Sequence, residues 1–152
     1  AKDQQALDQG LVTVLDDQEL IDVFLDEADD LLAQVDHSFN VYQQEPEHIK
    51  ALNHLMRYLH TLKGGARMSG VNSLGDLSHE MENIYEGVCL KRYQGNVDVF
   101  ALLQRCHDRI ADIVDSLKDH GKALVVDDLV EQLKIYLKER NFREIIRNNF
   151  AQ

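Results

Sequence analysis

The sequence predicts an all-α protein: an up-down antiparallel four-helix bundle with an additional C-terminal helix. Apolar residues recur at steps of three and four along most of the chain, which is the period of an amphipathic helix. There is a single proline, and long stretches contain no helix-breaking residue. The segments that link the periodic stretches are short, and short links join antiparallel neighbours. A chain of 152 residues is long enough for one domain with a hydrophobic core.

The first half of the chain predicts a lead-in and two helices. Residues 1–16 are polar and weakly patterned, so we expect a loose lead-in or a short helix there. A clear helical period begins at Asp17 and predicts a first helix of five or six turns. The second helix runs to about Met68, with Pro46 at its first helical position and Gly70 ending it in a left-handed turn.

The second half predicts three more helices. Ser73 is placed as the N-cap of the third helix, ahead of an acidic first turn. Residues 93–96 contain a glycine and interrupt the pattern, and a fourth helix follows over residues 97–119. Asp127 can open a fifth helix. Residues 141–152 keep helical spacing, and the sequence does not decide whether they extend the fifth helix or fold back as a tail.

Composition excludes several classes of partner. The formal net charge of -11 argues against nucleic acid and anionic membrane as binding partners. No apolar run approaches the roughly 20 residues of a membrane span, and the N-terminus does not resemble a signal peptide. Cys89 and Cys106 form no metal-binding pattern, so we interpret them as reduced thiols, with a disulfide as the less favoured alternative. We therefore expect a cytoplasmic protein.

The segment from Leu59 to Gly70 carries the chemistry. His60 and Lys63 stand three residues apart, and Gly64 and Gly65 follow directly. Each glycine inside a helix costs about 1 kcal/mol relative to alanine, and the sequence shows no structural benefit of that cost. We therefore expect another molecule to approach the backbone closely at this point. Lys63 and Arg67 fall within side-chain reach of His60, so the pattern predicts a histidine that receives an anion.

Two motifs together resemble the histidine phosphotransfer (HPt) domain of chemotaxis kinases. The first is His60-x-x-Lys63-Gly64-Gly65-Ala66 with Gly70 beyond it, and the second is Leu77-x-His79-x-Met81-Glu82 on the next predicted helix. The resemblance is closest to the N-terminal domains of CheA-like kinases, including the multi-HPt kinases of twitching-motility systems. It covers residues 17–140 and leaves residues 141–152 outside.

The resemblance implies a role for each matching residue. His60 would be the phosphorylated residue, Lys63 would steady the phosphoryl oxygens, and Glu82 would hydrogen-bond one imidazole nitrogen. His79 would belong to the same network. The positions expected to face the phosphoryl group or the partner are Gly64, Gly65 and Arg67, although Arg67 has no fixed counterpart in the family pattern.

The chemistry of these residues is consistent with phosphoryl transfer. Neutral imidazole is a good nucleophile near neutral pH, and a carboxylate on its other nitrogen fixes the tautomer and stabilises developing positive charge. The chain has no phosphate-binding loop, because Val71 stands where the lysine of that motif belongs, and no convincing carboxylate cluster for Mg²⁺. ATP and Mg²⁺ would therefore come with partner domains. A histidine kinase catalytic domain would load His60, and the aspartate of a CheY-like receiver domain would unload it.

Two other functions remain open from the sequence. The bundle is alternatively a phosphorylation-independent adaptor, although an adaptor has no need of the glycines after His60. A metal-binding bundle is suggested by the pairs Asp76-x-x-His79 and Glu45-x-x-His48, which have the i, i+3 ligand spacing. No matching glutamates appear on the other helices. The resemblance further implies that the isolated domain is a monomeric phosphoryl carrier and not an enzyme.

Overall fold

The protein is a bundle of antiparallel helices, as the sequence predicts. The computed structural model describes residues 11–13, 18–92, 97–120, 122–124 and 129–139. The helices are α1 (Gln18–Gln44), α2 (Ile49–Met68), α3 (Asn72–Cys89), α4 (Val97–His120) and α5 (residues 129–139). No helix of this described part is long and apolar enough to cross a membrane.

Each of the four long helices buries one apolar face in a shared core. Helix α2 packs against α1 and α3, and α4 packs against the same two helices, so α2 and α4 occupy opposite corners of the bundle. Burying a large aliphatic side chain stabilises a fold by about 1.5–3 kcal/mol, so this shared core dominates the stability of the bundle. The α2 and α3 contributions include the following fully buried residues: Leu52, Leu55, Leu59, Leu62, Leu74, Leu77, Met81 and Ile84.

The turn between α2 and α3 is tight and hydrogen-bonded. Gly70 has a φ of 79°, in the left-handed region that glycine adopts without strain. Its N–H donates to the Arg67 carbonyl, and the Val71 N–H donates to the Ala66 carbonyl at 2.8 Å. These are the two bonds of a Schellman motif, so the predicted left-handed end of α2 is confirmed.

Helix α3 begins earlier than the sequence indicates. Val71 is its N-cap and Asn72 its first residue, with no side-chain cap bond, so the prediction of Ser73 as N-cap is wrong. The Schellman turn explains the difference, because it leaves Val71 buried and already positioned to start the next helix. The Gly75 N–H donates to the Val71 carbonyl at 3.1 Å, which completes the first turn.

Helix α2 begins later than predicted. Pro46 lies in a turn, and the helix starts at Ile49, so the placement of Pro46 at the first helical position is wrong. His48 is the N-cap, and its Nδ1 accepts a hydrogen bond from the Ala51 N–H at 3.0 Å. The imidazole satisfies one of the unpaired donors of the first turn, and this sets the start of the helix.

A histidine not assigned a role from the sequence lies in the core. His107 of α4 is buried, and its Nε2 lies 2.7 Å from the phenolic oxygen of Tyr85 on α3. The Phe39 ring of α1 packs against it, with ring centroids 4.5 Å apart. Burial lowers the pKa of His107 to about 3, because the charged imidazolium loses its hydration there. The neutral His107 side chain therefore links α4 to α3 through Tyr85 and to α1 through Phe39.

A short antiparallel β pair was not predicted. Leu11–Thr13 form strand β1 and pair with strand β2, Lys122–Leu124, with Val12 opposite Ala123. Strands of three residues are too short to show an alternating pattern in the sequence. The interruption at residues 93–96, the predicted opening of the fifth helix at Asp127 and the segment 141–152 lie outside the described residues.

Both cysteines are free thiols. Cys106 is buried in the core, and Cys89 is partly buried near the end of α3. Burial raises the pKa of the Cys106 thiol to about 12, which keeps it protonated and unreactive.

Candidate functional site

The antiparallel packing of α2 and α3 brings the two sequence motifs together. His60 and Lys63 lie on α2, and both contact the carboxylate of Glu82 on α3. The tight turn at Gly70 sets the register of the two helices, which places the middle of each helix opposite the other. The sequence predicted this meeting only through the family resemblance, because helical periodicity alone does not fix the rotation of one helix against its neighbour.

His60 is exposed and has one ring nitrogen directed at Glu82. The side chain is 70% exposed, and its Nδ1 lies 3.5 Å from Oε2 of Glu82. This distance is longer than a well-formed hydrogen bond, as is common in sites whose contacts tighten when the partner binds. With Nδ1 facing the carboxylate, Nε2 on the opposite edge of the ring is left for an incoming group.

Lys63 and Glu82 form a partly buried ion pair beside the imidazole. The ammonium nitrogen lies 2.9 Å from Oε1 of Glu82, and the two side chains are 14% and 19% exposed. Oε1 is buried and has no hydrogen-bond partner among the described residues, so the attraction is mainly that of two opposite charges in partial shelter from water. Glu82 therefore holds the lysine close to the ring while it also faces Nδ1.

The two adjacent glycines have different neighbours. Gly64 is exposed, and a Cβ built on it would meet no atom within 4 Å, so the fold itself does not require a glycine there. A Cβ on Gly65 would lie 3.0 Å from Cδ1 of Phe24 on α1. The missing side chain of Gly65 thus makes room for an aromatic ring of the core, and its expected role in facing a partner stays a prediction.

His79 is not brought into a hydrogen-bonded network with the other site residues. It lies on the same side of α3 as Glu82, is partly buried, and its Nδ1 is buried without a hydrogen-bond partner in the described part of the chain. The structure shows no hydrogen bond or ion pair between His79 and either His60 or Glu82. A buried nitrogen without a partner is costly, so His79 has capacity for one further hydrogen bond.

Arg67 points along the α2–α3 interface. Its guanidinium Nη2 lies 4.0 Å from Oδ1 of Asp76, and its stem covers Gly75, where a Cβ would be 2.8 Å from the Arg67 Cγ. Its contacts are with α3, and none joins it to His60. Arg67 therefore lies against α3 in this structure, and a role as a second cation for the phosphoryl group stays a prediction.

Side chains of both i, i+3 pairs considered as metal ligands have other partners. No group of three or more histidine, cysteine, aspartate or glutamate side chains in metal-binding geometry occurs among the described residues. His48 uses Nδ1 to cap α2, and Asp76 pairs with Arg67. Both predicted i, i+3 pairs therefore have one member in another role.

The site is an exposed histidine on a helical bundle. A carboxylate faces its inner nitrogen, and a lysine lies one turn away. These features are typical of proteins that carry a chemical group on a histidine. Such a site can accept and release a group on the outer nitrogen. The fold and site together are those of a histidine phosphotransfer domain, a phosphoryl carrier.

Comparison with known proteins places the chain in that class. Residues 19–139 match the Hpt domain, so the chain belongs to the Hpt domain family. The chemotaxis protein CheA of Treponema pallidum is 31% identical over 121 residues, which are 79% of this chain and 15% of that protein. The sensor histidine kinase CheAY of Helicobacter pylori is 27% identical over 123 residues, 77% of this chain and 15% of the relative. The chain thus spans about 15% of the length of these relatives.

Solved structures give the same assignment. The CheA phosphotransferase domain from Thermotoga maritima superimposes with a TM-score of 0.64 at 28% identity, over 69% of this chain and 100% of that domain. The phosphorylated P1 domain of CheA3 in complex with CheY6 from R. sphaeroides gives a TM-score of 0.67 over 80% of this chain and 97% of that one. At 17% identity this second likeness shows the fold alone. The resemblance seen in the sequence is confirmed.

Proposed function

We propose that His60 is the phosphoacceptor of a two-component phosphorelay. A CheA-like histidine kinase catalytic domain loads it, and the aspartate of a CheY-like receiver domain removes the phosphoryl group. The observation that carries this proposal is the pose of the ring, exposed to 70% with Nδ1 turned toward Glu82. The relatives support it, since two of them are a CheA protein and a CheA-family sensor kinase.

The residues of the site have distinct tasks in both transfers. With the Nδ1 proton directed at Glu82, the Nε2 lone pair attacks phosphorus, and the nitrogen–phosphorus bond forms as the bond to the leaving oxygen breaks. The ring becomes cationic, and the carboxylate of Glu82 stabilises that charge. In the second transfer a carboxylate oxygen of the receiver attacks phosphorus, the nitrogen–phosphorus bond breaks, and neutral imidazole returns.

Lys63 and Gly64 serve positioning and charge neutralisation, which are the main needs of phosphoryl transfer. Lys63 lies one turn after His60, and its ion pair with Glu82 keeps the ammonium near the ring. Gly64 presents bare backbone on the exposed face, so a partner can approach the imidazole without meeting a side chain there.

Nucleotide and metal belong to the partners in this proposal. The described residues include neither a phosphate-binding loop nor a group of three metal-ligating side chains. In this proposal ATP and Mg²⁺ bind the kinase and receiver domains. The chain acts as a monomeric module in the cytoplasm, within a longer CheA-like histidine kinase of a chemotaxis or twitching-motility system.

A labelling experiment tests the site. Incubation with the cognate kinase domain and radiolabelled ATP is expected to give acid-labile, base-stable label that a receiver domain removes. The His60→Gln variant is expected to take up no label, while His37→Gln, at an exposed histidine of α1, is expected to take up as much as the wild type. Label that survives His60→Gln would disprove the assignment. An intact cellular output with His60→Gln would favour the adaptor alternative.

A further inference from the structure

Charge is strongly segregated between the first two helices of the bundle. Helix α1 carries seven acidic residues and no lysine or arginine. Helix α2 carries four basic residues and no aspartate or glutamate. In a chain of net charge -11, α2 is therefore a basic helix on an acidic body. The basic residues of α2 are Lys50, Arg57, Lys63 and Arg67.

Two of these four cations have a carboxylate of α3 within ion-pair distance. Lys63 pairs with Glu82, and Arg67 lies 4.0 Å from Asp76. Lys50 and Arg57 are exposed, and no carboxylate of the described residues lies within ion-pair distance of either. They are seven residues apart, so they project from the same face of the helix. We refer to Lys50 and Arg57 as the basic ridge.

Arg57 lies one turn before His60, and its side chain rests against Tyr58. Its guanidinium carbon lies 5.2 Å from the centroid of the Tyr58 ring, and its Nη2 lies 3.4 Å from the Tyr58 hydroxyl. Tyr58 packs against the core, so it is a fixed support. A cation–π contact at an exposed site contributes about 0.5–1 kcal/mol, enough to favour one arrangement of a long side chain and leave it free to move.

We propose that the basic ridge is a docking surface for the carboxylate-rich phosphoacceptor pocket of the receiver domain, with Arg57 as the principal contact. This inference rests on the proposed function of His60. The receiver presents an aspartate nucleophile, and carboxylates that bind Mg²⁺ are its natural neighbours. An acidic pocket of this kind is repelled by the acidic body of the chain and by α1. Arg57 supplies local attraction beside His60, and Lys50 extends the positive charge towards the start of α2, which orients the approach.

The basic ridge is expected to act while the receiver approaches the chain. Its removal should therefore lower the association rate, by an amount that depends on salt concentration. A charge at the rim of an interface mainly changes the association rate, and its effect disappears as salt screens it. A charge that bound the transferred phosphoryl group would instead change the rate of the chemical step at every salt concentration. The two roles are therefore separable by measurement.

The test uses the phosphorylated chain and a cognate CheY-type receiver domain with Mg²⁺. The kcat/KM of transfer is measured at low, intermediate and about 0.5 M salt for Arg57→Gln and Arg57→Glu. Arg105→Gln is the matched control, because Arg105 is an exposed cation of α4, on the opposite corner of the bundle from α2. Each variant is also loaded by the kinase domain, and its midpoint of urea unfolding is compared with that of the wild type.

We expect kcat/KM for transfer to the receiver to fall more when Arg57 is made negative than when it is made neutral, and we expect no other measured property to change. At low salt Arg57→Gln is about threefold slower and Arg57→Glu about tenfold slower or more, and all variants converge at high salt. Loading by the kinase and the unfolding midpoint stay unchanged, and Arg105→Gln behaves as wild type. An Arg57 effect equal to that of Arg105, an effect independent of salt, or an equal slowing of kinase loading overturns the inference. Absence of label on the wild type would instead overturn the proposed function itself.

Discussion

Replacing Gly64 by alanine is expected to stabilise the fold and impair the function. The Cβ would enter open space, so the substitution removes only the entropic penalty of a glycine inside a helix, about 1 kcal/mol. For a domain of this size that corresponds to a rise in Tm of about 2–4 °C. The same methyl group stands on the exposed face one turn after His60, where the partner must approach. We expect phosphotransfer to fall by about tenfold to a hundredfold, because small displacements of reacting groups are that costly.

Gly65→Ala is the matched control for this prediction. Its Cβ would lie 3.0 Å from the Phe24 ring, so the gain in helix propensity is offset by a shift of that ring, and Tm is expected to stay level or fall. Thermal unfolding by circular dichroism and receiver-dependent loss of label give the two readouts. If Gly64→Ala lowered Tm, or raised it without slowing transfer, the account of this glycine as space reserved for a partner would be refuted.

Two further predictions concern histidines outside the site. Because the folded pKa of His107 is about 3 and that of an unfolded histidine is about 6.5, the unfolded chain binds the proton first, and stability falls as pH drops from 6.5 towards 3. Protonation of this group lowers the free energy of unfolding by about 1.4 kcal/mol for each pH unit. His107→Gln should therefore reduce the slope of the urea-derived free energy of unfolding against pH by that amount between pH 6.5 and 4.5. Parallel curves for the variant and the wild type would contradict this. His48→Ala should lower the free energy of unfolding by about 1 kcal/mol, because α2 loses its N-cap. His48→Asn should restore most of that loss, since asparagine is a preferred N-cap residue. An unchanged urea midpoint in His48→Ala would contradict the capping role.

Helix periodicity predicts the bundle well, since each long helix buries a stripe that is visible in the sequence. The ends of the helices depend on single hydrogen bonds and are predicted less well. Gly70 was placed correctly because a left-handed residue after a helix is almost always glycine. His48 was missed because histidine is not among the preferred capping residues, and Pro46 nearby offered a more conventional start.

Some features of the site are also predictable from the sequence, and others are not. The motif spacing placed His60, Lys63 and Glu82 together through the family resemblance. The sequence did not distinguish Gly64 from Gly65, because the distinction depends on which side of α2 the Phe24 ring of α1 occupies. Such contacts depend on the rotation and spacing of packed helices, and residue type alone does not encode them.

The turn at Gly70 places the proposed phosphoacceptor and its carboxylate neighbour within one helical hairpin. His60 and Glu82 are 22 positions apart in the chain and are joined through a hydrogen-bonded bend, and neither residue lies on α4 or α5. Partial opening of α4 or α5 can therefore proceed while the imidazole keeps its carboxylate neighbour. Amide exchange should show α2 and α3 as one cooperative unit, and the domain should remain loadable when α4 or α5 opens locally.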